Sequence, residues 1–147
     1  MRSMDTMTMP PTPAHAPSRH YERLTHQECL DRLQRGGVGR LAFSDGPAPV
    51  IVPVNYGMLG DTPVLRTAFG TVIHGLAEGE GVALEIDEVD PITHLAWSVL
   101  VRGRIERVTD PADLLACEAL RIEAYAPGRR THWRRIVPIR VTGRVIR

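Results

Sequence analysis

From Ala48 to Thr71 the chain reads APVIVPVNYGMLGDTPVLRTAFGT. Apolar residues dominate 48–56 and recur through 63–68, and Gly60-Asp61 between them is a turn signal. The stretch therefore predicts two antiparallel strands joined as a hairpin. Pro53 inside the first strand predicts an edge or a bulge, because proline has no N–H to give a ladder. The second strand ends in Arg66-Thr67. Gly70 then turns the chain, and Val72, Ile73 and Leu76 predict a short helix over 71–78. Such a turn suits an anion: exposed N–H groups at a helix start, the Thr71 hydroxyl and a guanidinium all favour negative charge.

Outward from this hairpin the same alternation predicts strands at 38–44, 81–87, 95–108 and 135–146, with a second turn at Gly46-Pro47. In the last strand Val137, Ile139, Val141 and Val145 are expected on one face, and Arg140, Thr142 and Arg144 on the other. Pro138 marks a second edge or bulge. Upstream, Thr25 and Glu28 form a capping box and Leu24 with Cys29 a hydrophobic staple. They open a helix whose stripe is Cys29, Leu30 and Leu33, stopped at Gly36-Gly37. A longer helix is expected from Asp110-Pro111 to about Tyr125, ending at Pro127-Gly128, with Leu115, Ala119 and Ile122 inward. Six mostly antiparallel strands with flanking helices make an α+β domain built on a small β-barrel over residues 21–147. Residues 1–20, with Pro10, Pro11, Pro13 and Pro17 and little to bury, are expected to be a disordered tail.

Composition narrows the function. A net charge of +1 over 147 residues gives no bulk attraction to nucleic acid, and no aromatic series interleaves the arginine-rich end. All 18 basic residues are arginine, so no Schiff-base or P-loop lysine exists. Residues 78–90 hold six acids and no base, and 129–147 hold seven arginines and no acid. These read as two solvated faces, as surfaces that meet between subunits, or as a phosphate-binding end. Cys29 and Cys117 have no partner spacing and are expected to be buried, reduced thiols. The six histidines show no metal-binding spacing. With no apolar run of spanning length and no hydrophobic signal region, a cytoplasmic protein off the membrane is expected. No serine sits in a nucleophile elbow, and no carboxylate pair marks acid–base work. A cofactor that carries the chemistry itself fits that pattern.

Three pieces in order, Pro53-Val54-Asn55-Tyr56, Arg66-Thr67-Ala68-Phe69-Gly70-Thr71 and Trp97-Ser98-Val99-Leu100-Val101-Arg102-Gly103, resemble the pyridoxamine 5′-phosphate oxidase-like family of flavin-binding split β-barrels. The likeness covers about residues 21–147. It implies a homodimer with two flavin mononucleotide (FMN) sites in the subunit groove. Val52, Pro53, Val54 and Asn55 resemble the strand along the isoalloxazine ring. Arg66 and Thr67 resemble the pair near the ribityl phosphate, and Thr71 a second phosphate hydroxyl. Trp97 and Ser98 resemble residues that reach the flavin from the other subunit, and Trp133 a C-terminal aromatic near the site. The residues alone leave other roles open: a strand-end ion pair for Arg66, a core or interface position for Trp97, a hairpin cap for Asn55, a helix-surface position for His74.

Two positions depart from the family pattern. Val72 stands where the family usually has a base that pairs with the phosphate; one charge-assisted hydrogen bond is worth about 1.5–3 kcal/mol. Arg66 or His74 are the cations placed to compensate. The tail Arg140-Val141-Thr142-Gly143-Arg144 lacks the histidine that holds the vitamin B6 phosphate substrate. The resemblance therefore implies an FMN-dependent oxidoreductase that takes hydride at flavin N5 from a different small molecule. A deazaflavin-dependent or nitro-compound reductase on the same fold, or a non-catalytic flavin- or haem-binding protein, are the alternatives. No side chain is assigned as catalytic.

Overall fold

The computed structural model describes residues 20–67, 71–122 and 132–147. Within them the order is β1 (Tyr21–Arg23), α1 (His26–Leu33), β2 (Gly37–Asp45), β3 (Ala48–Leu59), β4 (Thr62–Thr67), β5 (Glu80–Val89), β6 (Ala96–Arg107), α2 (Pro111–Ala119) and β7 (His132–Ile146). The strands lie β7-β4-β3-β2-β5-β6, and β6 pairs again with β7, so six strands close into a ring. Every pairing is antiparallel. The expected α+β barrel is therefore present. The short β1, beside the C-terminal end of β7, has too few residues to show a period and was not expected.

The ring interior is apolar: Leu41, Phe43, Tyr56, Leu65, Leu84, Val99, Val101, Ile105 and Ile136 are all buried. α1 covers one part of it with Cys29, Leu30 and Leu33, the stripe read from the sequence. Its capping box is present, with Glu28 N donating to Thr25 Oγ1 at 3.2 Å and Thr25 N donating to Glu28 Oε2 at 2.7 Å. The Thr25 N–H first, and the Thr25 hydroxyl 3.0 Å from the same oxygen, hold the Glu28 carboxyl below its ordinary pKa. Gly36 and Gly37, at φ of +64° and +112°, stop the helix in a region that side chains resist. A smaller cluster of Val64, Val108, Cys117 and Trp133 lies under α2. Both cysteines are buried and unpaired by disulfide, and burial raises both thiols.

Three expectations about local structure are corrected. Residues 71–76 form turns rather than a helix; Gly75 within the segment and Gly79, at a φ of +77°, disfavour propagating one. α2 faces inward through Cys117 with Leu114 and Ile122 beside it, whereas Leu115 and Ala119 are exposed. It also ends at Ala119, with Leu120 as its C-cap, well short of the expected Tyr125; Pro127-Gly128 and nearly all of the expected tail lie outside the described residues. In β7, Arg102 faces Arg140 but Gly103 faces Pro138, so Ile139 is an extra residue. This bulge switches the inward parity. Arg134 and Ile136 point in before it and Val145 after it, while Val137 and Ile139 are exposed. The proline marked the bulge; a single uninterrupted period across it was the error.

Tyr56 ties α1 to β3, its hydroxyl donating to the Leu33 carbonyl at 3.0 Å. Burial pushes its pKa up to about 12. An unfolded tyrosine ionises near pH 10, so above that the unfolded chain loses a proton that the folded chain retains. Stability should therefore fall by roughly 2–3 kcal/mol between pH 10 and 12. Denaturant melts over this range should show the slope, and Tyr56→Phe should flatten it.

Candidate functional site

β3 pairs with β2 along its length but with β4 only from Tyr56 to Leu59. Among the described residues, Ala48–Asn55 therefore have no strand on their other side. Proline is tolerated on such an edge, where no ladder bond needs its missing N–H. The 71–76 turns lie across from this edge. Gly75 N donates to the Thr71 and Val72 carbonyls, and His74 N donates to Thr71 Oγ1 at 3.3 Å. Edge, turn and the end of β4 enclose a cavity of about 550 Å³ lined by Val38, Val52, Pro53, Val54, Asn55, Arg66, Thr67, Thr71, Val72 and Ile73. Seven of the nine residues expected to bind cofactor thus line one space: Val52, Pro53, Val54, Asn55, Arg66, Thr67 and Thr71.

Among the described lining residues, Arg66 brings the only fixed cation. It is held from α2 and β7. Its Nη2 lies 3.5 Å from Glu118 Oε1, and its guanidinium stacks 5.5 Å from the Trp133 ring centre. Trp133 is buried and donates its Nε1–H to the same Glu118 oxygen at 2.9 Å. Arg66 thus makes the strand-end ion pair that was its other open role while also lining the cavity. Thr67 is buried, and its hydroxyl lies 3.4 Å from the His132 carbonyl, positioned to donate to it. Thr71 Oγ1 accepts from the His74 N–H, and the residue lines the cavity. Val72 is exposed and brings no charge.

His74 does not replace that charge. It lines a separate space with His132, Arg107 and Arg134, its ring 4.6 Å from that of His132. Desolvation first, then the nearby His132, Arg107 and Arg134, push its pKa down, towards the neutral form. Trp97 and Ser98 do not line the cavity of this chain. They stand on β6, which β5 and β2 separate from β3 in the ring. Trp97 is half-buried, with Arg32 and Arg35 5.3 and 5.7 Å from its ring centre and its Nε1–H donated to Glu88. Ser98 lines another space beside Arg23, Arg140 and Arg144. The acidic stretch meets arginines within the chain: Arg40 bonds Glu85 at 2.9 Å and Asp87 at 3.0 Å.

Two residues near the cavity were missed. Arg134, 1% exposed, donates from Nη1 and Nη2 to the Leu76 carbonyl at 3.1 Å each, with Glu78 3.5 Å away. It fastens the turn segment to β7. Its parity with the inward Ile136 was a readable signal. Glu118 had none, because its role depends on α2 meeting β4 and β7.

The chain matches the family model for pyridoxamine 5′-phosphate oxidase over residues 25–145. A solved FAD-binding protein of Mycobacterium smegmatis is 32% identical, with a TM-score of 0.75 over 86% of this chain and all of that one. An FAD-binding protein of Mesorhizobium loti is 24% identical, with a TM-score of 0.70 over 85% of this chain and 97% of that one. An uncharacterised protein of Mycobacterium tuberculosis is 29% identical over 108 residues, 70% of this chain and 71% of the other. A family match that runs from the cap of α1 to the end of β7 takes in the whole closed ring and its cavity: the chain belongs to the pyridoxamine 5′-phosphate oxidase family of split β-barrels.

Proposed function

We propose that the cavity binds a flavin and that the protein is a flavin-dependent oxidoreductase acting on a small molecule. The observation that carries this is the meeting of an open strand edge, apolar walls and one arginine in a single space. A flavin ring needs a flat apolar slot and backbone partners at its heteroatoms. Val38, Val52, Val54 and Ile73 offer the first, and the unpaired edge of β3 the second. The ribityl phosphate needs a cation and donors, which Arg66 and Thr71 offer. FMN and FAD share all of these parts. When bound, a flavin supplies hydride acceptance and electron transfer. The chain's residues would hold the ring, orient it along Val52–Asn55 and keep water from one face.

A homodimer is part of this proposal, since a second copy is what would bring Trp97 and Ser98 to the cavity. Light scattering should then give twice the chain mass. Val72 keeps a deazaflavin in view, because a weakened phosphate contact leaves ring recognition to decide.

The test is a titration with FMN followed by flavin fluorescence. Arg66→Ala should weaken FMN roughly tenfold to a hundredfold, the equivalent of one charge-assisted hydrogen bond. A wild-type protein that binds FMN with no loss on this change would remove Arg66 as the phosphate anchor. Parallel titration with a deazaflavin decides between the two rings. A bound flavin that no hydride donor can reduce would make the protein a carrier.

A further inference from the structure

We propose that the space lined by Arg134 and His74, at the far end of the 71–76 turn, is a second binding site, for a small free oxyanion such as sulfate or inorganic phosphate. It shares no lining residue with the flavin cavity, so the inference stands apart from the flavin assignment. The space is about 350 Å³, and its polar lining is Arg107, Arg134, His74, His132 and Thr109. Among the described residues no carboxylate lines it. One atom points to a ligand rather than to a mere patch of charge. Arg134 is 1% exposed, and its Nη1 and Nη2 donate to carbonyls of the turn, but its Nε–H has no acceptor. A buried donor left without an acceptor costs stability. Among the described residues only Arg32 Nε shares that condition, and the Arg32 guanidinium lies over the Trp97 ring.

The surrounding charge has the sign that an anion requires. One oxygen of Glu78 sits 3.5 Å from both Arg107 Nε and Arg134 Nη2, so a single carboxylate serves two guanidinium groups. Glu80 also acts on Arg134, but its carboxylate already takes the Ala77 N–H at 3.0 Å. On α2, Asp113 pairs with Arg135 and Glu118 with Arg66. Burial first, and Arg107 after it, push the Arg134 pKa down against the pull of Glu78. Desolvation, His132 and the two arginines push that of His74 down. An oxyanion in the space opposes these effects. It gives the Arg134 Nε–H an acceptor and favours the protonated imidazole of His74, and the Thr109 hydroxyl adds a neutral donor.

The experiment is a calorimetric titration of the full chain with sulfate, with chloride holding the ionic strength constant. Sulfate keeps one charge state near neutral pH, so any pH dependence belongs to the protein. Saturable binding is expected, roughly fivefold tighter at about pH 6 than at about pH 8, as His74 takes up a proton. The imidazole NMR signals of His74 and His132 should move with sulfate. Arg107→Gln should weaken sulfate roughly threefold to tenfold, and His74→Asn should flatten the pH dependence. Arg66→Gln should leave sulfate affinity unchanged; a loss there places the anion in the flavin cavity and overturns the inference. A wild type with no saturable binding, or with binding that leaves both imidazoles unmoved, also overturns it, and water then meets the Arg134 Nε–H. A small phosphate monoester should bind no tighter than inorganic phosphate. If it binds much tighter, the free ion is wrong and the space seats part of a larger ligand.

Discussion

Gly103→Ala is expected to cost about 3 kcal/mol or more of stability, the high end of overpacking effects. Gly103 lies where β6 meets the β7 bulge. A methyl group there would sit well inside contact distance of the Val137 carbonyl oxygen and 2.9 Å from Ile136 Cγ2. Neither neighbour can easily move. The carbonyl is backbone beside Pro138, and Ile136 is a fully buried core residue. Relief would require parting β6 from β7, the pairing that closes the ring. Gly81 provides the contrast. It also lies in a strand, facing Arg104 across the β5–β6 pair, yet a methyl group there meets nothing within 4 Å. Gly81→Ala should change stability by less than about 0.5 kcal/mol, as surface substitutions commonly do. Denaturant melts of the pair would test the argument; equal midpoints would show that the bulge yields.

Arg134→Met should also lower stability by about 3 kcal/mol, through the loss of charge-assisted hydrogen bonds to buried carbonyls. It should affect the cavity as well. Nη1 and Nη2 share the Leu76 carbonyl, and Nη1 reaches the His74 carbonyl at 3.4 Å. Those two residues end the turn that begins with Thr71, so the turn would lose its tie to β7. Methionine fills similar apolar volume, which confines the change to the guanidinium's bonds. Arg134→Lys should recover only part of the loss, because one ammonium cannot span what a planar fork spans. A melt reads the stability, and flavin titration at low denaturant reads the cavity. If Arg134→Met melts with the wild type, the turn is held by something other than this fork.

Most of the ring was legible because alternation and turn residues are local signals. The capping box at Thr25 and Glu28, the turns at Gly46 and Gly60 and the proline at the bulge each state their geometry within a few residues. What failed was non-local. The parity of β7 depended on where Arg140 and Pro138 face β6, and no run of seven valines and arginines reveals its partner's register. The inward face of α2 was read through Leu115 and Ala119 rather than Leu114 and Cys117, since a helix this short supports two stripes; Ile122, just past its end, packs inward as expected. Seven of nine expected cofactor residues line one cavity because they come from three neighbouring segments, β3, β4 and the following turn. Glu118 was invisible for the opposite reason: it comes from an element some fifty residues away in sequence, brought near by the fold alone.

The stretch of β3 that no described strand covers also bears on how the protein behaves in concentrated solution. An exposed strand edge is a template on which another chain can extend the sheet, and this is how soluble proteins begin to aggregate. Pro49 and Pro53 stand four residues apart on that edge. Each lacks the N–H that a growing ladder would require, and each resists the flat conformation of stacked sheets. A planar ring needs only a few contacts and can sit between them, whereas an invading strand needs an unbroken series. The two prolines break the series of N–H groups on which another polypeptide could extend the sheet.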